Sequence, residues 1–249
     1  MAQTQIIYGF HSINAALDKH PENILNLYCQ EKEAKERLKS VLDKAKNAGI
    51  TIETISATKL EKLTESDHHQ GLAARIRTPE PLNEKDLIQW LKSTDEKPLL
   101  LILEGIEDPH NLGACLRSAE ALGVHWVILP SQRSTPITPL VSKVACGADQ
   151  TLSIALVGNL VRLIEQIKQE GVWVIGTSGE ATRSLSDVNF KGPTALVMGA
   201  EGKGLRRLTL ETCDDVVKIP LTGAVESLNV SVATGICLYE CIRQRVVIP

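Results

Sequence analysis

Residues 98–129 read PLLLILEGIEDPHNLGACLRSAEALGVHWVIL, and the fold class turns on them. Pro98 is followed by five aliphatic residues, Leu99 to Leu103, a run of strand length with no polar position on either face. A strand patterned in this way is covered on both faces, as in a parallel sheet. Asp108-Pro109 then makes a turn, and Asn111 is available to cap a helix. Over 112–122, Leu112, Cys115, Leu116, Ala119 and Leu122 recur at helical spacing. Arg117 falls on the opposite side, among Gly113, Ala114 and Ala121. A second apolar run at 126–129 completes a strand–helix–strand unit.

The alternation continues toward the C terminus. A helix is expected near 140–146, strands over 152–156, 172–176, 195–198 and 216–219, and a last helix over 231–245. Residues 98–249 therefore read as one α/β domain with a largely parallel, buried sheet. Upstream, 1–77 alternates helix-like stretches (12–19, 33–48, 57–65) with short strand-like runs (24–29, 50–55, 72–76), a smaller α/β domain. Thr78-Pro79-Glu80-Pro81 breaks regular structure. The polar stretch to 97, around a helix-like segment near Trp90, extends this break into a linker over 78–97.

The chain is 43% hydrophobic and 23% charged, which excludes a disordered or low-complexity polymer. Its longest apolar runs fall far short of the ~20 residues a membrane-spanning helix needs. Met1 is followed by polar residues rather than by the basic and apolar regions of a secretory signal, so a cytoplasmic protein is expected. The cysteines at 29, 115, 146, 213, 237 and 241 form no C-x-x-C pair and have no histidine at zinc-ligand spacing. No metal is expected, and they read as small buried hydrophobes. A net charge of −3 argues against a protein that holds nucleic acid by bulk charge, but a local basic patch suffices for phosphate contacts.

Two further glycine-bearing segments follow expected strands, where α/β sheets bind ligands. Gly199-Ala200-Glu201-Gly202-Lys203-Gly204 has neither the G-x-G-x-x-G order of a dinucleotide loop nor the Ser or Thr of a Walker loop. A nicotinamide-dependent oxidoreductase is thereby disfavoured. What remains is a loop that lets a ligand approach the backbone, with Glu201 in its middle. In Ile219-Pro220 through Ser227-Leu228-Asn229-Val230-Ser231, Pro220 stops a strand, and Asn229 or Ser231 can cap the last helix. That helix is apolar on most sides, which points to burial on most sides, including against a second subunit.

Together, N-L-G-x-x-x-R-S-A (111–119), V-M-G-A-E-G-x-G (197–204) and I-P followed by S-L-N-V-S-V-A (219–233) resemble the three ordered motifs of the SpoU/TrmH RNA 2′-O-ribose methyltransferases of the SPOUT superfamily. Ile7-Tyr8-Gly9-Phe10-His11-Ser12, His69-Gln70-Gly71 and Asp108-Pro109-His110-Asn111 extend the resemblance over almost the whole chain, toward members that methylate a guanosine ribose of 23S rRNA in the peptidyl-transferase loop. The resemblance implies a knotted, deep-trefoil catalytic domain, a feature that chain-topology rules make improbable. It also implies a small ribosomal-protein-like domain over 1–77 that binds RNA substrate, S-adenosyl-L-methionine as cofactor, and a homodimer through the C-terminal helix.

Carried over residue by residue, Asn111, Arg117, Glu201, Ser227 and Asn229 take catalytic positions. Gly199, Ile219 and Leu228, with Thr177 after the 172–176 strand, take cofactor positions. Guanidinium groups stay protonated in proteins, so Arg117 is expected to clamp phosphate and stabilise oxyanion charge rather than act as a general base. Glu201 and Asn229 are expected to orient Arg117 or the ribose. Lys203, Arg206, Arg207, Arg133 and Lys143, with Lys32, Lys35, Arg37 and Lys39 upstream, are the candidate RNA-contacting cations. The competing readings are a tRNA ribose methyltransferase of the same family and a non-catalytic RNA-binding protein of ribosome assembly.

Overall fold

A computed structural model describes residues 4–31, 36–77, 82–132 and 134–246, with the backbone alone at 36 and 37. The expected RNA contacts Lys32, Lys35 and Arg133 and the side chain of Arg37 lie outside the described residues, as do the breaker residues 78–81. The chain forms two units. One comprises residues 1–80 with 137–151, the other residues 81–136 with 152–249.

The first unit holds β1 (Thr4–Tyr8), α1 (Phe10–Lys19), β2 (Ile24–Gln30), α2 (Glu36–Asn47), β3 (Thr51–Ile55), α3 (Ala57–Thr64) and β4 (Leu72–Arg77). Its sheet runs β1-β4-β2-β3, antiparallel except for β2 with β3. Ile13, Leu17, Val41 and Ala45 of α1 and α2 bury one face, and Leu60 of α3 packs with Tyr8 and Tyr28 on the other. Strand β1 precedes the first element the sequence suggests. Only Ile7 and Tyr8 of its five residues are buried, too few to write a period, and it is pairing with β4 that makes it a strand.

Residues 137–151 were expected in the second domain and group instead with this first unit. Here α6 (Pro139–Val144), capped by the Thr138 hydroxyl, packs on β1 and α1. The Ser12 hydroxyl donates to the Ser142 carbonyl at 3.1 Å, and the Lys143 ammonium stands 5.4 Å from the centre of the Tyr8 ring. Gly147 (φ 84°) passes so close to α1 that a Cβ there would lie 2.7 Å from the Ala15 Cβ. The helical pattern of 140–146 predicts an amphipathic helix. It carries no information about which sheet the apolar face covers.

The second unit begins with α4 (Glu84–Ser93), followed by β5 (Leu99–Leu103), α5 (Pro109–Ala121), β6 (Trp126–Pro130), β7 (Ser153–Val157) and α7 (Leu160–Gln169). It continues with β8 (Trp173–Thr177), β9 (Arg183–Ser184), β10 (Thr194–Met198), α8 (Arg207–Thr212), β11 (Asp215–Lys218) and α9 (Val230–Arg245). The sheet order is β7-β6-β5-β10-β8-β11-β9, every pairing parallel. As expected of a parallel sheet covered on both faces, all five residues of β5 and of β10 are buried.

Most of the expected linker is part of this unit. Asn83 closes a capping box with Asp86 at the start of α4, and Leu87 and Leu91 enter the core beside Leu100, Leu163 and Val174. The Leu82 carbonyl accepts from the Leu156 amide at 2.9 Å. The burial of two leucines, rather than the polar composition around them, decides where 82–97 belongs. The start of α5 also differs from expectation. The helix begins at Pro109, and Asp108 caps it by accepting from the His110 amide at 2.9 Å. Proline is suited to the first helical position because its missing N–H would have no partner there. Asn111 therefore sits within the first turn, with its side chain free for other work.

Candidate active site

Four adjacent parallel strands, β5, β10, β8 and β11, end on one edge of the sheet, so the loops that leave them lie side by side. The loops after β10, β8 and β11 line a cleft of about 680 Å³. Thr177 to Glu180 contribute after β8, Gly199 to Leu205 after β10, and Ile219, Leu221 and Glu226 to Leu228 after β11. Val230, Ala233 and Cys237 of α9 close one wall. A smaller cavity of about 260 Å³ adjoins it, lined by Gly105 to Asp108 and Asn111, with Ala200, Glu201, Lys203 and Val230 common to both.

The loop after β10 turns back on itself, with the Gly204 amide donating to the Ala200 carbonyl at 2.8 Å. A Cβ on Gly199 would lie 2.2 Å from the Gly204 carbonyl carbon and 2.4 Å from the Leu205 nitrogen. Only glycine permits that approach, which leaves peptide groups rather than side chains facing the cleft.

At the rim, three of the expected residues meet. The Asn229 side-chain nitrogen donates to Asn111 Oδ1 at 2.9 Å and to Glu201 Oε2 at 3.4 Å, and the Asn111 nitrogen donates to the same Glu201 oxygen at 3.4 Å. The other end of the Asn229 amide caps α9. Its Oδ1 accepts from the Ser231 amide at 2.9 Å and the Ser231 hydroxyl at 2.6 Å. One amide thus fixes the helix and ties the loops after β5, β10 and β11 to one another.

The remaining expected residues divide. Gly199, Ser227, Leu228 and Ile219 line the cleft. Thr177 lines it too, but its hydroxyl donates to the Val197 carbonyl at 3.0 Å and so ties β8 to β10. Arg117 is not brought to this junction. It is exposed, lines neither cavity, and has no hydrogen bond or ion pair among the described residues. Asn111 and Arg117 are six residues apart, which on a helix of 3.6 residues per turn separates their directions by about 120°. Of the expected cations, Lys203 lines both cavities and Arg207 pairs with Glu211 at 2.8 Å.

Two residues that the sequence did not single out for roles fix the site's frame. Glu104 is 4% exposed and accepts from the Arg206 amide at 2.9 Å and the Thr209 hydroxyl at 2.8 Å. Its signal is a carboxylate directly following five aliphatic residues. Arg245 anchors the far end of α9, donating to the carbonyls of Phe190, Lys97, Pro98 and Gly192 at 2.6–3.0 Å.

None of the six cysteines is in a disulfide, and burial pushes the Cys115 thiol up to about 11 and those of Cys213, Cys237 and Cys241 to about 12. Among the described residues no group of three or more His, Cys, Asp or Glu side chains is placed to hold a metal ion, and no helix is long and apolar enough to cross a membrane.

Known proteins align with both parts of this arrangement. The 23S rRNA (guanosine-2′-O-)-methyltransferase RlmB of Shewanella oneidensis is 49% identical over 245 residues, covering 98% of this chain and 99% of its own. A crystal structure described as an RNA 2′-O ribose methyltransferase superposes with a TM-score of 0.80 at 29% identity, over 98% of this chain and 89% of that one. The SpoU methyltransferase AviRb from Streptomyces viridochromogenes, solved in complex with the cofactor AdoMet, superposes with a TM-score of 0.79 at 22% identity, covering 97% of this chain and 90% of that one. The sequence model for RNA 2′-O ribose methyltransferase substrate binding matches residues 6–82, and that of the SpoU rRNA methylase family matches residues 98–239. With more than half of its length matched by the second of these, and the cleft and its three-loop junction inside that span, the chain belongs to the SpoU rRNA methylase family.

Proposed function

We propose that this protein is an S-adenosylmethionine-dependent RNA methyltransferase that modifies a guanosine 2′-hydroxyl of 23S rRNA during ribosome biogenesis. The observation that carries the reading is the Asn111–Glu201–Asn229 junction at the rim of a cleft walled by three loops. The cleft fits the cofactor. Its volume lies within the roughly 300–1,000 Å³ range of small-molecule sites, its walls mix apolar side chains with open peptide groups, and Gly199 leaves no room for a Cβ. Gly199, Ile219 and Leu228 would hold the cofactor largely through backbone groups, with Thr177 at the edge.

Bound there, adenosylmethionine supplies a methyl group already activated on a sulfonium. The chain's task is then to position the ribose and to stabilise charge on the oxygen as its proton leaves. Asn111, Glu201 and Asn229 form a prearranged polar wall, with Ser227 nearby. Arg117 is assigned the target phosphate and the developing oxyanion. Because its guanidinium makes no described contact within the chain, RNA or a second subunit must complete its surroundings.

The second subunit has a natural place. Val232, Ile236 and Tyr239 recur at i, i+4 and i+7 and are exposed on α9, whose opposite face packs on α5. A homodimer through this face covers them. The catalytic domain over 98–249 is assigned the family's deep trefoil knot, in keeping with α9 returning after β11 to pack on α5. The module over 1–77 is assigned to RNA binding, with Lys39 among its exposed cations.

The test is to map 2′-O-methylation in 23S rRNA and tRNA from cells lacking the protein. Loss at one 23S guanosine, restored by the wild-type gene, supports the reading. An unchanged rRNA pattern with loss in tRNA overturns the rRNA assignment, and no change in either overturns the activity.

A further inference from the structure

Glu104 pins both ends of the loop that carries Gly199 and Glu201. Its backbone N–H donates to the Met198 carbonyl at 2.9 Å, where the loop leaves β10. Its carboxylate accepts from the Arg206 N–H at 2.9 Å, where the loop enters α8. The second carboxylate oxygen accepts from the Thr209 hydroxyl at 2.8 Å, on a side chain only 2% exposed, and stands 3.9 Å from the Arg206 guanidinium. Between those two pinned residues lie the Ala200–Gly204 turn and every loop residue that faces the cleft.

A carboxylate desolvated at the end of an all-aliphatic strand is costly unless its hydrogen bonds are made. These bonds are made to the residue that ends the loop and to α8 beyond it, rather than to the strand's own neighbours. We infer that Glu104 is a positioning residue for the cofactor. By closing the 198–206 loop at both ends it sets the shape of the backbone cradle, without itself lining the cleft. This inference rests on the proposed reading of the cleft as an adenosylmethionine site.

The decisive bond is the one to the Arg206 N–H, which proline removes. Arg206 has φ −67°, the value a proline ring imposes, so Arg206→Pro deletes the donor with little change in that angle. Arg206→Ala controls for loss of the guanidinium. Adenosylmethionine affinity is measured by titration calorimetry on the full chain for wild type, both Arg206 variants, Glu104→Ala and Glu104→Gln. Glu104→Gln keeps an acceptor for the Arg206 N–H and can donate to Thr209.

Arg206→Pro and Glu104→Ala are expected to weaken binding roughly ten- to a hundredfold, the worth of a hydrogen bond to a charged group. Arg206→Ala and Glu104→Gln are expected to stay close to wild type in adenosylmethionine affinity, and saturating cofactor should restore most of the turnover of Glu104→Ala. Wild-type affinity in a folded Arg206→Pro, or an Arg206→Ala as weak as it, overturns the clamp. So does a Glu104→Gln as weak as Glu104→Ala. Should Glu104→Ala fail to fold, the two Arg206 variants decide alone. Should wild type bind no adenosylmethionine, the cofactor reading fails, and amide exchange over 199–205 decides the clamp separately. Faster exchange in Arg206→Pro than in Arg206→Ala supports it, and equal exchange overturns it.

Discussion

Helix α5 presents two polar side chains of interest, and they live in opposite circumstances. Asn111, in its first turn, is bound to Asn229 and Glu201 and belongs to a junction the chain completes by itself. Arg117, further along, is exposed and without a described partner. The contrast separates two kinds of functional residue. A junction that also caps α9 must contribute to folding, whereas an unpaired cation on a helix surface contributes little to stability. On the proposed reading, one half of the site is built on folding, and the other half is assembled on binding.

Substitutions at the two positions should therefore fail differently. Arg117→Ala is expected to lower the methyl-transfer rate by about 10²–10³-fold, with melting temperature and adenosylmethionine affinity unchanged. A melting temperature that falls with the rate would erase the contrast. If Arg117 serves a partner's cleft, mixed dimers of Arg117→Ala and Glu201→Ala chains regain activity that neither parent shows. No recovery on mixing would place Arg117 beside its own chain's cleft.

Asn229→Ala should fall at both levels. Loss of the α9 cap costs about 1 kcal/mol, about 2–4 °C in melting temperature for a chain of this size. Loss of the tie to Glu201 should lower turnover roughly tenfold to a hundredfold. Calorimetry and single-turnover assays on the same preparation would separate the two effects, and a rate loss without a melting shift would contradict the shared role.

A smaller effect should come from pH. Burial holds the Cys115 thiol of α5 up at about 11 and the Cys237 thiol of α9 at about 12, whereas an unfolded chain ionises them near 8.5. Above about pH 8.5 the folded state binds more protons than the unfolded state, so stability is full below that pH and falls as pH rises through the folded values. Melting temperature should decline from pH 8.5 to 10.5, less steeply in Cys115→Ala. An equal decline in that variant would remove Cys115 from the account.

The same division explains what the sequence could reveal. Buried strands such as 99–103 and 195–198 write themselves as unbroken apolar runs, and the glycines of 199–204 mark a loop whatever its ligand. Only motif order points to the junction residues, since nothing in the spacing of Asn111, Glu201 and Asn229 says that they touch. The Asn111 assignment as helix cap failed because Asp108-Pro109 is an equally good start, and the choice depends on what Asn111 binds from 118 residues away. Placement of 137–151 and of α4 was invisible for a related reason. An amphipathic pattern gives a helix its apolar face but does not name the surface that face will cover. Arg117 shows the opposite limit, a residue singled out in the sequence to which the described residues offer no hydrogen-bond or ion-pair partner.

Methyl transfer to one guanosine ribose in 23S rRNA is tested most directly with purified protein, labelled adenosylmethionine and 23S rRNA from cells lacking the gene. Label at a single guanosine 2′-oxygen with wild type, and a loss of about two to three orders of magnitude in rate with folded Arg117→Ala, is the predicted result. No transfer by a wild type that binds adenosylmethionine, or equal transfer by the Arg117 variant, would contradict the account.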